Sequence, residues 1–376
     1  MSASEFPDPS LYKITEESLS KIIRAVTVKR WEEARAWEWY DGVQWPVGCN
    51  FNPSSSINQL EMWQAETFHA EEIDRELGWL AAIGMNTVRV FLHDLLWKQD
   101  AEGFLARIDT FLSIADKHGI RTMLVFFDSC WNPYPEIGTQ RAPTPGVHNS
   151  YWAQSPGAAI VNDRRAFADL EGYVTGVVKR FREDRRVLVW DVWNEPDNIN
   201  MGTYNTGFQS QEAKGEYITP LLAQTFLWVR SAQPTQPVTS GVWAGDWSSD
   251  DKLMPWQKVQ LLGSDVTSFH RYTPLEETRT TVEPLKRFKR PLLCTEYVAR
   301  GAGNTFETIL PYFKEEKIAA YNWGAVAGKT QTYYPWTSWE KPFTEEPVPW
   351  HHDIFRKDGT PYEAKETALI RKLTMG

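Results

Sequence analysis

Two glutamates, Glu195 and Glu296, end separate apolar segments of this sequence. Glu195 follows VLVWDVWN, and Glu296 follows PLLCT. Both segments are rich in β-branched, aliphatic and aromatic residues, which is typical of strands that are buried on both faces. A pair of carboxyl groups can hydrolyse a glycosidic bond, because one protonates the leaving oxygen while the other attacks the sugar or activates water. The two glutamates therefore indicate glycoside chemistry if the fold brings them together.

The residue after Glu195 explains why a strand would stop at this carboxylate. Pro196 donates no hydrogen bond to a neighbouring strand, and it biases Glu195 away from the helical conformation. A carboxylate at the end of a buried strand is costly to desolvate, so it needs a function or a partner. For a lone acid, the simpler interpretation is an ion pair with a nearby arginine. Two buried strands that each end on a glutamate favour the catalytic interpretation.

The tetrapeptide WNEP and the segment LLCTEY resemble clan A glycoside hydrolases, most closely those of family 5, the cellulase-like family. The resemblance spans residues 46–328 and implies an α/β fold, a single (β/α)8 TIM barrel. It implies that Glu195 is the acid/base at the end of strand 4 and Glu296 the nucleophile on strand 7. It also implies that Asn194 hydrogen-bonds the sugar 2-hydroxyl. Adjacent strand residues point to opposite faces, so Asn194 and Glu195 share the site only if the strand end is bulged or twisted.

Three further strands carry residues that match the family pattern. Arg89 matches the arginine of strand 2 beside the nucleophile, although a structural salt bridge is the alternative for a guanidinium inside a buried strand. His270 and Tyr272 share one face of strand 6 because side chains alternate. The resemblance implies that the histidine lies near the acid/base and that the tyrosine touches the nucleophile; a satisfied core histidine is the alternative. Trp323 matches the strand 8 tryptophan that forms the floor of the sugar site.

Further residues are candidate substrate contacts. His93 and Asp94 end strand 2 at the barrel face where active sites form, with turn residues as the alternative. Asp128 ends strand 3, near which family 5 often has a histidine, and this departure leaves the sugar undetermined. Trp131 begins a long aromatic connection that is expected to wall the site. At the end of strand 5, Trp243 or Trp247 offers a flat ring on which a sugar can stack.

The proposed chemistry requires Glu296 to be ionised while Glu195 is protonated. We expect Arg89 and the Tyr272 hydroxyl to keep the pKa of Glu296 low. Burial near the charge of Glu296 is expected to raise the pKa of Glu195. Retention of configuration predicts carboxyl groups about 5–5.5 Å apart, whereas inversion needs about 6.5–9.5 Å.

Strand-like and helix-like segments alternate along the 376 residues, and no linker rich in Ser, Gly and Pro divides them. A single catalytic domain over 1–376 is therefore predicted, with residues 1–45 as a helical extension packed on the barrel. The predicted strands are 46–51, 87–93, 121–128, 187–195, 237–243, 265–272, 291–297 and 319–326. The helix before the third strand is predicted to begin near Gly103. Long aromatic loops are predicted at 131–162 and 328–361.

The composition argues against several other classes of function. A net charge of −9 disfavours binding to nucleic acid or to an anionic membrane surface. No apolar run reaches the length of a membrane span. The three cysteines form no CxxC pair, and no HExxH, phosphate-loop or complete dinucleotide motif is present, so neither a metal nor a cofactor is predicted. Nineteen tryptophans exceed the needs of a core and suit carbohydrate stacking.

The amino terminus has no basic region followed by an apolar core, so no signal peptide is predicted and a cytoplasmic location is expected. A secreted protein whose signal had been removed would look the same. The oligomeric state is not readable.

The resemblance and the residues together predict a retaining β-glycosidase that hydrolyses β-linked glycosides or oligosaccharides, with the two long loops favouring exo action. An endo-β-1,4-glucanase or mannanase with an open cleft is the alternative enzyme, and a transglycosylase would use the same residues. A carbohydrate-binding barrel without catalysis is the alternative from another class. The loop contacts that set specificity follow no motif, so sugar and linkage stay open.

Overall fold

Eight short segments rich in β-branched and aromatic residues form one parallel sheet in the computed structural model, which describes residues 13–376. The strands are β1 (Val47–Asn50), β2 (Thr87–Phe91), β3 (Arg121–Asp128), β4 (Val187–Asn194), β5 (Val238–Thr239), β6 (Thr267–His270), β7 (Leu292–Tyr297) and β8 (Ala319–Trp323). Hydrogen-bonded neighbours follow the order β5-β4-β3-β2-β1-β8-β7-β6. A parallel bridge between Val242 and Phe269 joins the two ends. The sheet thus closes into the predicted (β/α)8 barrel.

Helices surround this barrel. The α-helices of the described residues are α1 (Glu16–Thr27), α2 (Glu33–Asp41), α3 (Gln59–Trp63), α4 (Ala70–Ala82), α5 (Asp94–Lys117), α6 (Ala158–Val161), α7 (Glu171–Phe181), α8 (Gln211–Ser231), α9 (Pro255–Gly263), α10 (Leu275–Val282), α11 (Phe306–Glu315) and α12 (Ala364–Met375). α5 begins earlier than predicted, because the ring of His93 accepts a hydrogen bond from the Leu95 N–H and caps the helix. A kink at Asp100 follows, ahead of the predicted start at Gly103.

The fifth strand is much shorter than predicted. Only Val238 and Thr239 form a regular ladder with β4. The next backbone N–H, that of Ser240, donates to the Oγ of Ser264 at 3.1 Å instead of to a neighbouring strand. Side-chain competition for backbone groups therefore ends the strand early.

The helices before β1 pack against the barrel. α1 lies against α8 and α9. In α2, Tyr40 is 5% exposed and packs on residues near the strand starts, including Leu188 and Tyr321. Its hydroxyl donates to the carbonyl of Lys317 at 2.6 Å. Residues 1–12, which include most of the segment that lacks signal-peptide features, lie outside the described residues, and the single-domain assignment stays a prediction.

Two long connections meet above the carboxyl ends of the strands. The backbone N–H of Asn149, in the loop after β3, donates to the carbonyl of Thr330, in the loop after β8, at 2.8 Å. The N–H of His148 donates to the Oγ of Ser338 at 2.9 Å. These bonds fix the two predicted aromatic loops against each other on one side of the barrel mouth.

Within residues 13–376, no helix combines the length and the apolar character that crossing a bilayer requires.

Candidate active site

The barrel brings the two predicted glutamates together at its carboxyl-terminal face. Glu195 directly follows β4, Glu296 lies in β7, and they are 7% and 6% exposed. Nδ1 of His270 lies 2.8 Å from Oε1 of Glu195 and 3.5 Å from Oε2 of Glu296. Ligand atoms of all three residues lie within 4.8 Å of one another. One oxygen of each carboxyl group thus lies within 4.8 Å of the other, which is nearer to the separation of about 5–5.5 Å in retaining glycosidases than to that of about 6.5–9.5 Å in inverting ones.

The backbone at Glu195 explains how neighbouring strand residues reach one site. Asn194 still pairs with Asp128 in the β3–β4 ladder. Glu195 then adopts a φ of 46°. This left-handed conformation is unfavourable for a residue other than glycine and re-aims the side chain. The strand end is therefore twisted at Glu195, which is one of the two conformations that would let Asn194 and Glu195 share one site.

Arg89 lies fully buried beneath the two carboxyl groups. Its Nη1 donates to Oε1 of Glu296 at 3.3 Å, and its Nη2 donates to Oδ2 of Asp191 at 2.8 Å. Nη2 also donates to Oδ1 of Asn194 at 2.7 Å, and Nη1 donates to Oδ1 of Asn50 at 2.8 Å. The guanidinium is thus both a structural ion pair and a partner of the predicted nucleophile. It acts through Glu296, because it does not line the cavity.

Glu296 has two donors that Glu195 lacks. The hydroxyl of Tyr272 donates to its Oε2 at 2.8 Å, and Arg89 contacts its Oε1. Burial nevertheless raises the pKa of Glu296 to about 7, against the opposing effects of His270 and then of Arg89 and Tyr272. The expectation of a low pKa for Glu296 is therefore wrong, because desolvation outweighs these donors.

Burial also raises the pKa of Glu195 to about 7, as expected. Two carboxyl groups this close share their protons as a pair. The pair holds one proton near neutrality. The guanidinium and the phenol that contact Glu296 favour its ionised form, whereas no Lys or Arg of residues 13–376 forms an ion pair with Glu195.

Two side chains that the sequence reading did not single out contact Glu195. Nδ2 of Asn198 donates to Oε2 of Glu195 at 2.6 Å. Sγ of Cys130 lies 3.3 Å from the same oxygen and donates to it. Burial lowers the pKa of His270 to about 4, so the ring beside Oε1 is neutral at pH 7.

A cavity with a volume of about 770 Å³ opens above the glutamates. Its lining consists of Cys130, Trp131, His148, Glu195, Asn198, Asn200, Met201, Trp243, Tyr272, Glu296, Trp323, Trp336 and His352. Trp131 and Trp339, from the two long loops, stack at 4.9 Å with an interplanar angle of 14°. Trp323 packs edge-on against Phe91 at 5.7 Å. The aromatic walls provide flat apolar surfaces next to the carboxyl pair.

The predicted substrate contacts fall into two groups. Trp131, Trp243, Tyr272 and Trp323 line the cavity. The others lie behind it, and these are Arg89, His93, Asp128, Asn194 and His270.

His93, Asp128 and Asn194 form contacts with other protein groups behind the cavity. His93 caps α5 and contacts Oδ1 of Asp94 at 3.2 Å. Asp128 accepts hydrogen bonds from Nε1 of Trp152 at 2.5 Å and from Nδ2 of Asn194 at 2.9 Å. Both polar atoms of the Asn194 amide are therefore already engaged by protein groups.

The sequence analysis did not predict several residues of the cavity lining, because these residues follow strand ends and belong to no motif. Asn198, Asn200 and Met201 belong to the polar stretch after Glu195, whose conformation no local pattern fixes. Asp191 could have been predicted from the sequence as the partner of Arg89, because a carboxylate inside the apolar run of β4 requires a buried cation.

Glu195, His270 and Glu296 are also close enough together to ligate a metal ion. Glu195 and His270 form a hydrogen bond with each other, and Glu296 accepts hydrogen bonds from Arg89 and Tyr272. That the reaction needs no metal stays a prediction.

Comparisons with known proteins agree with the barrel and its resemblance. No family model matches the chain. A mannan endo-1,4-beta-mannosidase F of Aspergillus clavatus is 25% identical over 165 residues, which are 42% of this chain and 32% of that protein. The chain thus matches about a third of the length of this curated relative.

Solved structures match most of the chain at low identity. GH5_18 of Streptomyces cattleya in complex with Manb1-4GlcNAc has a TM-score of 0.60 at 12% identity, over 88% of this chain and 80% of that one. The exo-beta-1,4-mannosidase Op5Man5 of an Opitutaceae bacterium has a TM-score of 0.60 at 18% identity, over 88% and 60%. The endo-beta-1,4-mannanase of Thermotoga petrophila has a TM-score of 0.55 at 13% identity, over 89% and 77%. The family 5 resemblance is thus confirmed at the level of the fold.

Proposed function

We propose that this protein is a retaining, exo-acting β-glycosidase that removes mannose from short β-linked mannosides. The observation that carries the proposal is the spacing of the carboxyl pair, within 4.8 Å at the base of an aromatic cavity. Glu296 has the donors that favour the ionised form, and Glu195 has a raised pKa without a cation, which suits an acid. These environments give the two chemically identical groups different roles.

In the first step, an oxygen of Glu296 attacks the anomeric carbon and the bond to the leaving oxygen breaks. Glu195 transfers its proton to that oxygen, so the leaving group departs as a neutral alcohol. Tyr272 and Arg89 hold the attacking carboxylate in place through the contacts described above. The product is a covalent glycosyl-enzyme.

In the second step, water attacks the same carbon and releases Glu296. Glu195, now ionised, accepts a proton from that water and returns to its acid form. Two displacements at one carbon restore the original configuration, so the released sugar is the β-anomer.

Exo action is supported by the loops around the cavity. Hydrogen bonds between the loops after β3 and β8, together with the Trp131–Trp339 stack, close one side of the barrel mouth. A site closed on one side admits the end of a chain more readily than its middle.

Mannose is supported by what the similar proteins are named for. The curated relative and two of the structural neighbours are mannan- or mannoside-cleaving enzymes, and the third holds Manb1-4GlcNAc. An endo-acting mannanase is the second candidate, favoured by the curated relative.

The test is hydrolysis of aryl β-glycosides of mannose, glucose, galactose, xylose and fucose, with the product anomer followed by NMR. We expect turnover of the mannoside with β-mannose as the first product. Glu296→Ala should lose this activity, and azide should restore a product of inverted configuration, α-mannosyl azide, because the anion attacks in place of the carboxylate. Glu296→Gln serves as the matched variant, since its amide blocks the space that azide needs.

The outcomes separate the candidates. Inert aryl glycosides together with rapid cleavage of mannan would replace exo by endo action. Binding of mannosides without turnover of either substrate would favour a carbohydrate-binding barrel, and an α-anomer as first product would contradict retention.

A further inference from the structure

Oε2 of Glu195 lies between two donors that come from different loops. Asn198 belongs to the turn after β4, and Cys130 follows β3. Nδ2 of Asn198 is 2.6 Å from Oε2 and Sγ of Cys130 is 3.3 Å from it. Oε1 has a different neighbour, Nδ1 of His270 at 2.8 Å. The two oxygens of the acid/base therefore have unlike surroundings.

The orientation of the Asn198 amide is fixed by the backbone. Its Oδ1 accepts the N–H of Asn200 at 2.6 Å, so the NH₂ group must face Glu195. The Nζ of Lys214, a residue of α8 that is 1% exposed, donates to the carbonyl of Asn198 at 2.6 Å. Asn200 in turn accepts the N–H of Trp131 at 2.6 Å, which ties this turn to the loop of Cys130.

The thiol of Cys130 is a donor and not a nucleophile in this position. Burial raises the pKa of Cys130 well above its usual value, with Asp128, Glu195 and Glu296 adding to the effect. A protonated thiol next to a carboxylate oxygen donates its weak hydrogen bond to it.

We propose that Asn198 and Cys130 are positioning residues that occupy Oε2 of Glu195 and thereby confine its transferable proton to Oε1. With two donors on Oε2, a proton there would face Nδ2–H or S–H and would leave a donor unpaired. On Oε1 the proton has the neutral ring of His270 as an acceptor until the substrate oxygen takes it. This inference rests on the proposed function, because it concerns the step in which Glu195 acts as an acid.

The same donors stabilise the ionised form of Glu195, so removing one makes it a weaker acid. The charged and titratable groups that surround Glu195 are Cys130, His270, Tyr272, Glu296, Asp128, Asp197 and Lys214. Asn198→Ala alters none of these, so a pH profile that shifts in this variant reports the lost donor.

The test compares kcat/KM for two glycosides of the sugar that the wild type hydrolyses, one with a methyl and one with a 2,4-dinitrophenyl leaving group. The methyl glycoside needs a proton from Glu195, and the dinitrophenyl glycoside does not. For Asn198→Ala we expect about a tenfold loss with the methyl glycoside and a change within about twofold with the dinitrophenyl glycoside. The basic limb of the methyl-glycoside pH profile should move up by about one pH unit.

Asn198→Asp keeps the shape and the acceptor for the Asn200 N–H but places an oxygen against Oε2. It should move the basic limb to higher pH than Asn198→Ala does, and it replaces the alanine variant in the test if that variant does not fold. Cys130→Ala should shift the limb in the same direction by less, and Cys130→Ser, which restores a donor, should return it toward wild type. Asn205→Ala, in the same loop and without contact to Glu195, is the matched control.

Equal losses with both leaving groups and an unmoved basic limb in Asn198→Ala and Asn198→Asp would overturn the inference. If the basic limb moved in both Asn198 variants but not in Cys130→Ala, Asn198 alone would be the positioning residue. Failure of the proposed function is distinguishable, because the wild type would then hydrolyse neither glycoside.

Discussion

At the scale of single residues, this site depends on polar groups that are almost completely withdrawn from water. The two glutamates differ little in burial and differ mainly in their hydrogen-bond donors. Arg89 and Tyr272 contact Glu296, while Asn198 and Cys130 contact Glu195. A charged donor next to a carboxylate stabilises its ionised form more than neutral donors do. In the proposed function, this difference assigns the role of acid to Glu195 and that of nucleophile to Glu296.

The first prediction concerns pH. Activity requires the singly protonated pair, so kcat/KM should fall below neutrality as Glu296 gains a proton and above it as Glu195 loses one. Because burial raises both pKa values to about 7, we expect a narrow bell with its maximum near pH 7. With the dinitrophenyl glycoside, which needs no proton from Glu195, the wild type should keep the acidic limb and lack the basic one. A broad plateau from pH 5 to 9 in the wild type would contradict the prediction.

The second prediction concerns Arg89, which is 0% exposed and paired with Asp191. Arg89→Met should destabilise the protein by about 3–5 kcal/mol, because it leaves a buried carboxylate without its partner. The measurement is chemical denaturation. The double variant Arg89→Met with Asp191→Leu should recover part of this loss, since neither charge then remains. If the double variant loses the sum of both single effects, the ion pair is not the cause.

At the scale of elements, each functional side chain is placed by the end of a strand. Glu195 follows β4, His270 ends β6 and Glu296 lies in β7, so parallel strands carry all three to one face. The loops then add the walls. The helices before β1 act at the opposite end, where Tyr40 of α2 covers residues near the strand starts.

The third prediction concerns this cover. Tyr40→Ala should lower the free energy of unfolding by about 3 kcal/mol, because it removes a buried aromatic ring from the barrel end. Tyr40→Phe keeps the ring and loses only the bond to the Lys317 carbonyl, so it should cost about 1 kcal/mol. Thermal and denaturant unfolding measure both. Equal losses in the two variants would show that the hydroxyl, and not the packing, matters.

At the scale of the whole molecule, the cavity exists because two distant loops meet. Trp131 follows β3 and Trp339 follows β8, and their stack joins the segments above the barrel. Tyr204, from the loop after β4, packs edge-on against Trp339 at 5.6 Å. Three loops therefore pack together through the rings of Trp131, Tyr204 and Trp339.

The fourth prediction concerns Trp339. Trp339→Ala should raise KM for the aryl mannoside by about tenfold with little change in kcat, because it removes the ring that holds Trp131, a residue of the cavity lining, in place and so weakens a wall that binds substrate and transition state alike. Activity on long manno-oligosaccharides should rise relative to the aryl substrate as the mouth opens. Trp37→Ala, at the far end of the barrel, is the control for loss of a tryptophan. An unchanged KM would exclude this wall from binding.

The sequence by itself determined the barrel and the two glutamates that it brings together. Buried parallel strands need apolar residues on both faces, so VLVWDVWN and LLCTEY can be predicted as strands from residue type. The family resemblance supplied the order of Glu195, Glu296, Arg89, His270 and Tyr272. The strand ends were harder to predict. β5 stops after Thr239 because the N–H of Ser240 is taken by the distant Ser264.

Only the tertiary structure decided which atoms meet at the carboxyl pair. Asn198 and Cys130 converge on Oε2 of Glu195 because Glu195 adopts a left-handed backbone and because a buried Lys214 holds the following turn. The pKa of Glu296 likewise depends on how completely the folded barrel excludes water. The segment LLCTEY alone does not determine this exclusion. Local sequence fixes the strands, whereas desolvation and contacts between loops arise only when distant segments pack together.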